Sequence, residues 1–168
     1  MALDSLISKL EEFRAGLNDT ARDILVDNEE VLIEEQREQL FEGKSSTGAD
    51  LRPSYTEDVK PKGYFNSVEK ARNYANWKAN VVSYPSTGNL KRDIDAPNLY
   101  VNGRFHSELG IEFGADAVQV IGTTSYAQGI IAKYGHENFG WTAERMSRIV
   151  QEIVLPTLQE KLRYALNG

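Results

Sequence analysis

The sequence predicts an α+β fold, in which a small antiparallel β-sheet packs on a long C-terminal helix, with an N-terminal helical extension and long connecting loops. Three patterns support this: apolar residues at helical spacing near both ends, one pair of alternating segments between them, and two stretches rich in glycine, serine, proline and charge. Of the 168 residues, 40% are hydrophobic and 10% aromatic. That is enough for a packed core, so a wholly disordered chain is excluded.

Residues 1–43 are predicted to form an acidic helical N-terminal extension. A second helix is expected to follow the first, to reach about Phe41 and to end at Gly43. Between residues 19 and 42 the net charge is −7, more negative than the −6 of the whole chain. The first helix is indicated by a narrow apolar stripe at helical spacing: Leu3, Leu6, Ile7, Leu10, Phe13 and Leu17.

Residues 44–97 are predicted to form a basic aromatic arm with one helix. Pro53 and Pro61 disfavour helix before them, so the first part of the arm is predicted to be an extended connector that ends at Gly63. Ser67 can cap a helix that runs to about Lys78, and a second long loop then leads to the end of the arm.

The charge of this arm is opposite to that of the extension. Residues 44–92 carry a net charge of +5. Such a charge dipole suits head-to-tail contact between copies of the chain, or separate acidic and basic partners, although a solvated helix followed by a basic loop would give the same pattern.

Residues 98–168 are predicted to hold a β-hairpin and the C-terminal helix as a core. Alternating residues at 109–113 and, less regularly, at 117–121 flank Gly114-Ala115-Asp116, which predicts the hairpin. The segment from Tyr126 to Tyr134 is either a short helix or a strand, because Gly129 lies inside it.

The last element is a long amphipathic helix that Thr142 can cap. Pro156 interrupts its apolar stripe and should kink or restart the helix, because proline has no N–H to donate and crowds the preceding turn.

Composition limits the chemistry that the chain can perform. The chain has no cysteine, which excludes disulfides, thiolate metal sites and cysteine nucleophiles. It has two histidines. The longest uncharged stretch, residues 117–132, is interrupted by glycine and hydroxyl side chains, so we expect a soluble protein without a membrane span. No catalytic motif is present, and we expect a protein that is not an enzyme and has no cofactor.

One metal-site alternative arises from His106, Glu108 and Glu112, to which Asp93 and Asp95 could add carboxylates, as in divalent-metal hydrolases. Their spacing matches no established ligand pattern. A lone histidine beside a strand is more often a capping or interface residue.

A nucleic-acid alternative arises from residues 52–92, where cations alternate with rings. Positive charge for phosphates and aromatic faces for bases are typical of proteins that bind single strands. The negative net charge of the whole chain opposes this interpretation at long range.

Four phrases of the sequence are similar to small virion proteins of tailed bacteriophages, of the head–tail connector and tail-completion kind. They are QLFEGKSSTGADLRPSYTED, YFNSVEKARNYANWKA, DAPNLYVNGRFHSEL and KYGHENFGWTAERM. In that group a segment such as Gly103-Arg104-Phe105-His106-Ser107 leads into a β-hairpin, and a pair such as Tyr126-Ala127 leads to a glycine turn and a final helix. The resemblance spans about residues 36 to 165.

The resemblance implies a structural protein of the virion, assembled in the cytoplasm of a bacterial host. It would form part of the connector, neck or tail-completion ring between portal and tail. Its partners would be further copies of itself and portal and tail proteins, with packaged DNA as a further contact, but no membrane. The interface residues expected on this basis are Arg52, Tyr55, Lys60, Lys62, Tyr64, Phe65, Trp77, Tyr84, Lys91, Arg92, Arg104 and Phe105.

Overall fold

The computed structural model of the protein describes residues 2–81, 93–114 and 117–167. These residues are mostly helical and contain a two-stranded antiparallel sheet and a long C-terminal helix, which confirms the predicted α+β class. Tyr84, Lys91 and Arg92 lie outside the described residues.

The chain divides into two compact units. Residues 1–32 and 144–168 form one, called here the helical unit, and residues 33–143 form the other, called the central unit. These boundaries differ from the predicted segments, which end at residues 43 and 97. The reason is that both ends of the chain carry amphipathic helices, and these cover part of each other's apolar stripes.

In the helical unit, α1 (Ala2–Ala15) packs against α8 (Leu155–Asn167), and α2 (Leu17–Asp27) packs against a π-helical turn, Val150–Val154. The unit also holds the start of α3 (Glu29–Phe41) and α7 from its second residue (Ala143–Ile149). Its buried side chains include Ile24, Leu32, Ile149 and Val154.

The predicted second helix is divided at Asn28 into α2 and α3. The Asn28 side chain donates to the Ile24 carbonyl oxygen at 2.8 Å, and the Asn28 backbone carbonyl accepts from Val31 and Leu32. Asparagine competes in this way for backbone partners, and the break follows from that competition.

The effect predicted for Pro156 is present as a π-helical turn immediately before α8. An α-helix would need a hydrogen bond from residue 156 to the residue 152 carbonyl, which proline cannot donate. The five-residue π-helical turn ends at Val154, and the Thr157 hydroxyl donates to the Ile153 carbonyl at 2.9 Å. The chain therefore stays helical through Pro156, because α8 follows the π-helical turn directly.

The central unit contains α4 (Val68–Val81), a one-turn helix α5 (Arg104–Ser107), the hairpin and α6 (Ser125–Tyr134). Strand β1 (Leu109–Phe113) pairs with β2 (Val118–Gly122), with Leu109 opposite Gly122 and Phe113 opposite Val118. Its core consists of the buried residues Leu40, Leu51, Phe105, Leu109, Val120, Ala127, Ile131 and Phe139.

The helix that packs on the hairpin within this unit is α6, whereas the sequence predicted the C-terminal helix in that role. The segment of uncertain type is thus helical despite Gly129. Thr124 caps it, because its hydroxyl oxygen accepts from the Ala127 N–H at 3.3 Å. The apolar residues Ala127 and Ile131 are buried in the same core cluster as Leu109 and Val120 of the hairpin.

The predicted extended connector is folded, which corrects the sequence interpretation. Leu51 is fully buried in the core, and Tyr55 is 6% exposed. Lys44 forms a β-bridge with Asp50, and Val59 forms one with Phe65. The burial of a single leucine in a polar stretch produces no periodic pattern in the sequence. The glycine, proline and charged residues around it therefore wrongly predicted an extended connector.

Two buried glutamines fix α3 to the segment before α7. Gln39 donates to the Gly140 carbonyl oxygen at 2.7 Å and accepts from the Thr142 N–H at 2.9 Å. Gln36 accepts from the Gly140 N–H at 3.0 Å. These bonds satisfy backbone groups that would otherwise be buried without a partner.

Candidate interaction groove

A cluster of aromatic side chains beside α4 is a distinctive feature of the central unit. Tyr55, Phe65 and Tyr74 meet edge-on or tilted, with ring centroids 5.3 to 6.2 Å apart. They can approach the helix closely because Ala71 and Ala75 are small and buried. Edge-to-face contacts between rings add to the stability gained from burial alone.

Lys78 lies inside this cluster and is only 2% exposed. Its ammonium group donates to the Tyr55 hydroxyl at 2.8 Å and lies 5.3 and 5.6 Å from the ring centroids of Tyr55 and Tyr74. Ring faces attract cations, so the cluster favours a positive charge at its centre.

The cluster forms one wall of a groove with a volume of about 410 Å³. The other wall comes from the segment before α5 and from α6. The groove is lined by Tyr55, Asp58, Tyr64, Phe65, Tyr74, Lys78, Pro97, Leu99, Val101, Tyr126, Ile130, Lys133 and Tyr134. An apolar, aromatic cavity with a few polar groups is the usual composition of a binding site.

An ion pair joins the two walls of the groove. Lys133 on α6 donates to the Asp58 carboxylate at 2.8 Å, and Asp58 also accepts from the Tyr64 N–H at 3.1 Å. Asp58 is buried, so its charge is compensated by these two donors. Burial raises the pKa of the neighbouring Tyr134 above its ordinary value, so this hydroxyl stays neutral.

Tyr64 is held in a fixed loop at the mouth of the groove although its side chain is 75% exposed. The Phe65 N–H donates to the Asp58 carbonyl oxygen at 2.8 Å, and the Lys60 N–H donates to the Phe65 carbonyl oxygen at 2.8 Å. The same loop carries the exposed Lys60 and Lys62. It therefore presents one ring and two cations together.

The described members of the predicted interface have different environments. Tyr64, Trp77, Lys60, Lys62, Arg52 and Arg104 are exposed, and Phe65 is half-buried. Arg52 pairs with Glu57 at 2.8 Å, and Arg104 pairs with Glu108 at 3.0 Å while its guanidinium lies 4.9 Å from the Tyr126 ring centroid. Tyr55 is buried and lines the groove.

Phe105 is a correction to the predicted interface. It is 2% exposed and belongs to the core, with its ring centroid 6.2 Å from that of Phe139. Its neighbours Arg104 and Ser107 are exposed, which made the short segment resemble a surface loop. One turn of helix turns Phe105 inward.

The residues of the metal-site alternative are engaged in other ways. His106 is buried, and Glu108 accepts from the Thr124 hydroxyl at 2.6 Å as well as from Arg104. These donors lower the pKa of Glu108 below its ordinary value. The described residues bring together no group of three or more histidines and acids that could hold a metal ion.

His106 makes the stability of the central unit dependent on pH. The pKa of His106 is lowered to about 4, mainly by burial. The charges of Arg37 and Lys78 act in the same direction, whereas the Asn98 carbonyl and Glu34 oppose the change. Because the carbonyl of Asn98 can only accept, the Nε2 atom, 3.1 Å away, carries the hydrogen. The Nδ1 atom is then the one that gains a proton in acid.

We expect the free energy of unfolding to fall as the pH drops from about 6.5 towards 4. The unfolded chain takes up this proton near pH 6.5 and the folded chain only near pH 4, so the folded state loses up to about 3 kcal/mol over this range. An NMR titration of the two imidazole rings tests this directly. A His106 ring that titrates near pH 6.5 in the folded protein would contradict it.

No family model matches the chain, and no curated protein or solved structure matches it either. Within the part of the chain that the structure describes, no helix is long and apolar enough to span a membrane.

Proposed function

We propose that the protein is a structural component of a tailed-bacteriophage virion, in the head–tail connector, neck or tail-completion ring between portal and tail. The proposal starts from the four sequence phrases that resemble such proteins. The observation that carries it is that both units expose large apolar side chains. Tyr64 and Trp77 are 75% and 48% exposed on the central unit, and Leu6, Ile7 and Leu10 are 41%, 46% and 42% exposed on the helical unit.

Apolar surface on two different units is what a ring of identical subunits requires. In a heterologous contact one surface of a copy meets a different surface of the next, and rotation closes the ring. Exposed apolar side chains of this size are a cost for an isolated monomer but contribute affinity when buried in an interface. Portal and tail proteins, and packaged DNA, are the further partners of the proposed component.

The mass of the purified chain in solution tests this proposal. Light scattering coupled to size exclusion, over a range of concentrations, is expected to give a species many times heavier than the 18.9 kDa monomer. A mass of 18.9 kDa at every concentration, rising only when DNA is added, would contradict it.

A second candidate function is the binding of single-stranded nucleic acid. The observation in its favour is that Tyr64 and Trp77 are exposed in a region that also exposes Lys60, Lys62 and Arg72. Bases stack on such rings while cations contact phosphates. Affinity for single-stranded DNA that falls steeply with salt and is lost in a K60E/K62E variant would favour this function, and absence of binding at low salt would exclude it.

A further inference from the structure

The groove of the central unit combines an apolar interior with a basic border. The loop that supplies the lining residues Tyr64 and Phe65 also carries the exposed bases Lys60 and Lys62. Asp58, the acid of the lining, is already paired with Lys133. A segment that combines acidic charge with a small apolar anchor would therefore complement the groove.

The chain itself contains such a segment in residues 23–31, called here the acidic elbow. It holds four acids and no base, and it spans the break between α2 and α3. Val26 and Val31 are each 43% exposed within it. Asp23, Val26 and Asp27 have the spacing that places residues on one face of α2.

We propose that the acidic elbow of one copy docks in the groove of a second copy. Val26 and Val31 would contact the groove rings, and Asp23, Asp27 and Glu30 would face Lys60 and Lys62 at its mouth. This inference rests on the proposed assembly and names its contact. The contact joins two different surfaces, because the elbow belongs to the helical unit and the groove to the central unit. It is heterologous when successive copies repeat it in one direction around the ring.

Size and charge both agree with this occupant. The groove volume of about 410 Å³ lies in the lower part of the range of about 300–1,000 Å³ that binding clefts have, which suits one or two short side chains. Exposed charges in such a contact are screened at a distance of about 10 Å in 0.1 M salt, so assembly should weaken as salt is added.

Replacing Tyr64 with alanine provides the first test. Tyr64 is 75% exposed, so its loss should leave the fold intact, and Tyr164 on α8 is a matched control at 73%. We expect Y64A to raise the concentration of half-assembly at least tenfold and Y164A to change it less than twofold. Equal effects of the two variants would overturn the proposal.

Charge reversal provides a second test that does not depend on Tyr64. K60E/K62E and D23K/D27K should each raise the concentration of half-assembly, since each places like charges opposite one another. The chain with all four changes should recover most of the assembly of the parent. Assembly that is unaffected by either pair, or is not recovered in the combination, would contradict the contact.

A mixing experiment tests whether the elbow of one copy contacts the groove of another. Y64A keeps the elbow and lacks the groove ring, whereas V26D/V31D keeps the groove and lacks the elbow anchors. At the concentration of half-assembly of the parent, each variant alone should stay at 18.9 kDa, with a circular-dichroism spectrum like that of the parent. The equimolar mixture should form a complex of twice that mass. If the parent assembles and the mixture stays monomeric, this inference fails while the proposed function stands. If the parent itself never assembles alone, both fail.

Discussion

Replacing Leu51 with alanine is expected to destabilise the central unit by about 3 kcal/mol, the loss typical of a buried leucine that leaves a cavity. Leu51 is fully buried in the core beside residues of α3, α5 and α6. Urea unfolding followed by tryptophan fluorescence measures the change. Both tryptophans, Trp77 and Trp141, lie in the central unit, so the signal reports on that unit.

The control for this variant is Ile94→Ala in the same unit. Ile94 is 49% exposed, so its truncation should cost less than about 1 kcal/mol. An L51A chain as stable as the I94A chain would mean that residues 44–63 are an extended connector outside the core, as the sequence pattern indicated.

Replacing Gly122 with alanine is expected to destabilise the same unit by about 2 to 3 kcal/mol, as overpacking of a dense site does. A Cβ atom at this position would lie 2.6 Å from the Gln128 backbone nitrogen and 2.7 Å from the Ala127 carbonyl carbon. Both are backbone atoms of α6, so relief requires β2 and α6 to move apart. The free energy of unfolding, from the same urea titration, measures the effect.

Gly129 is the matched control for Gly122 and should respond in the opposite direction. It lies in the middle of α6, and nothing lies within 4 Å of a Cβ atom built there. Alanine at that position should stabilise the helix by about 1 kcal/mol. If G122A and G129A shift stability in the same direction, the close packing of β2 on α6 is wrong.

Local pattern was sufficient for most elements of this fold. The helical stripe that begins at Leu3 predicted α1, and alternation around residues 114–116 predicted the hairpin. Both signals depend only on neighbours in sequence. Leu51 gives no such signal, because its burial depends on α3, α5 and α6, which lie far away along the chain.

The groove could be predicted only in part, because its residues also come from distant parts of the sequence. Alternating rings and cations identified Tyr64 and Trp77, which are exposed, whereas the resemblance at residues 103–107 suggested Phe105, which is in the core. The second wall of the groove, with Leu99 and Ile130, carried no pattern of its own. Only the tertiary fold brings α6 opposite α4, and the Asp58–Lys133 pair that joins them spans 75 positions.

On the proposed function, copies of this chain assemble into a ring through two different surfaces. Electron microscopy of the heaviest fraction of the purified chain tests it most directly. We predict closed rings of a single diameter in the parent and their absence in Y64A. A field of monomers, or of open filaments without closure, would exclude ring assembly.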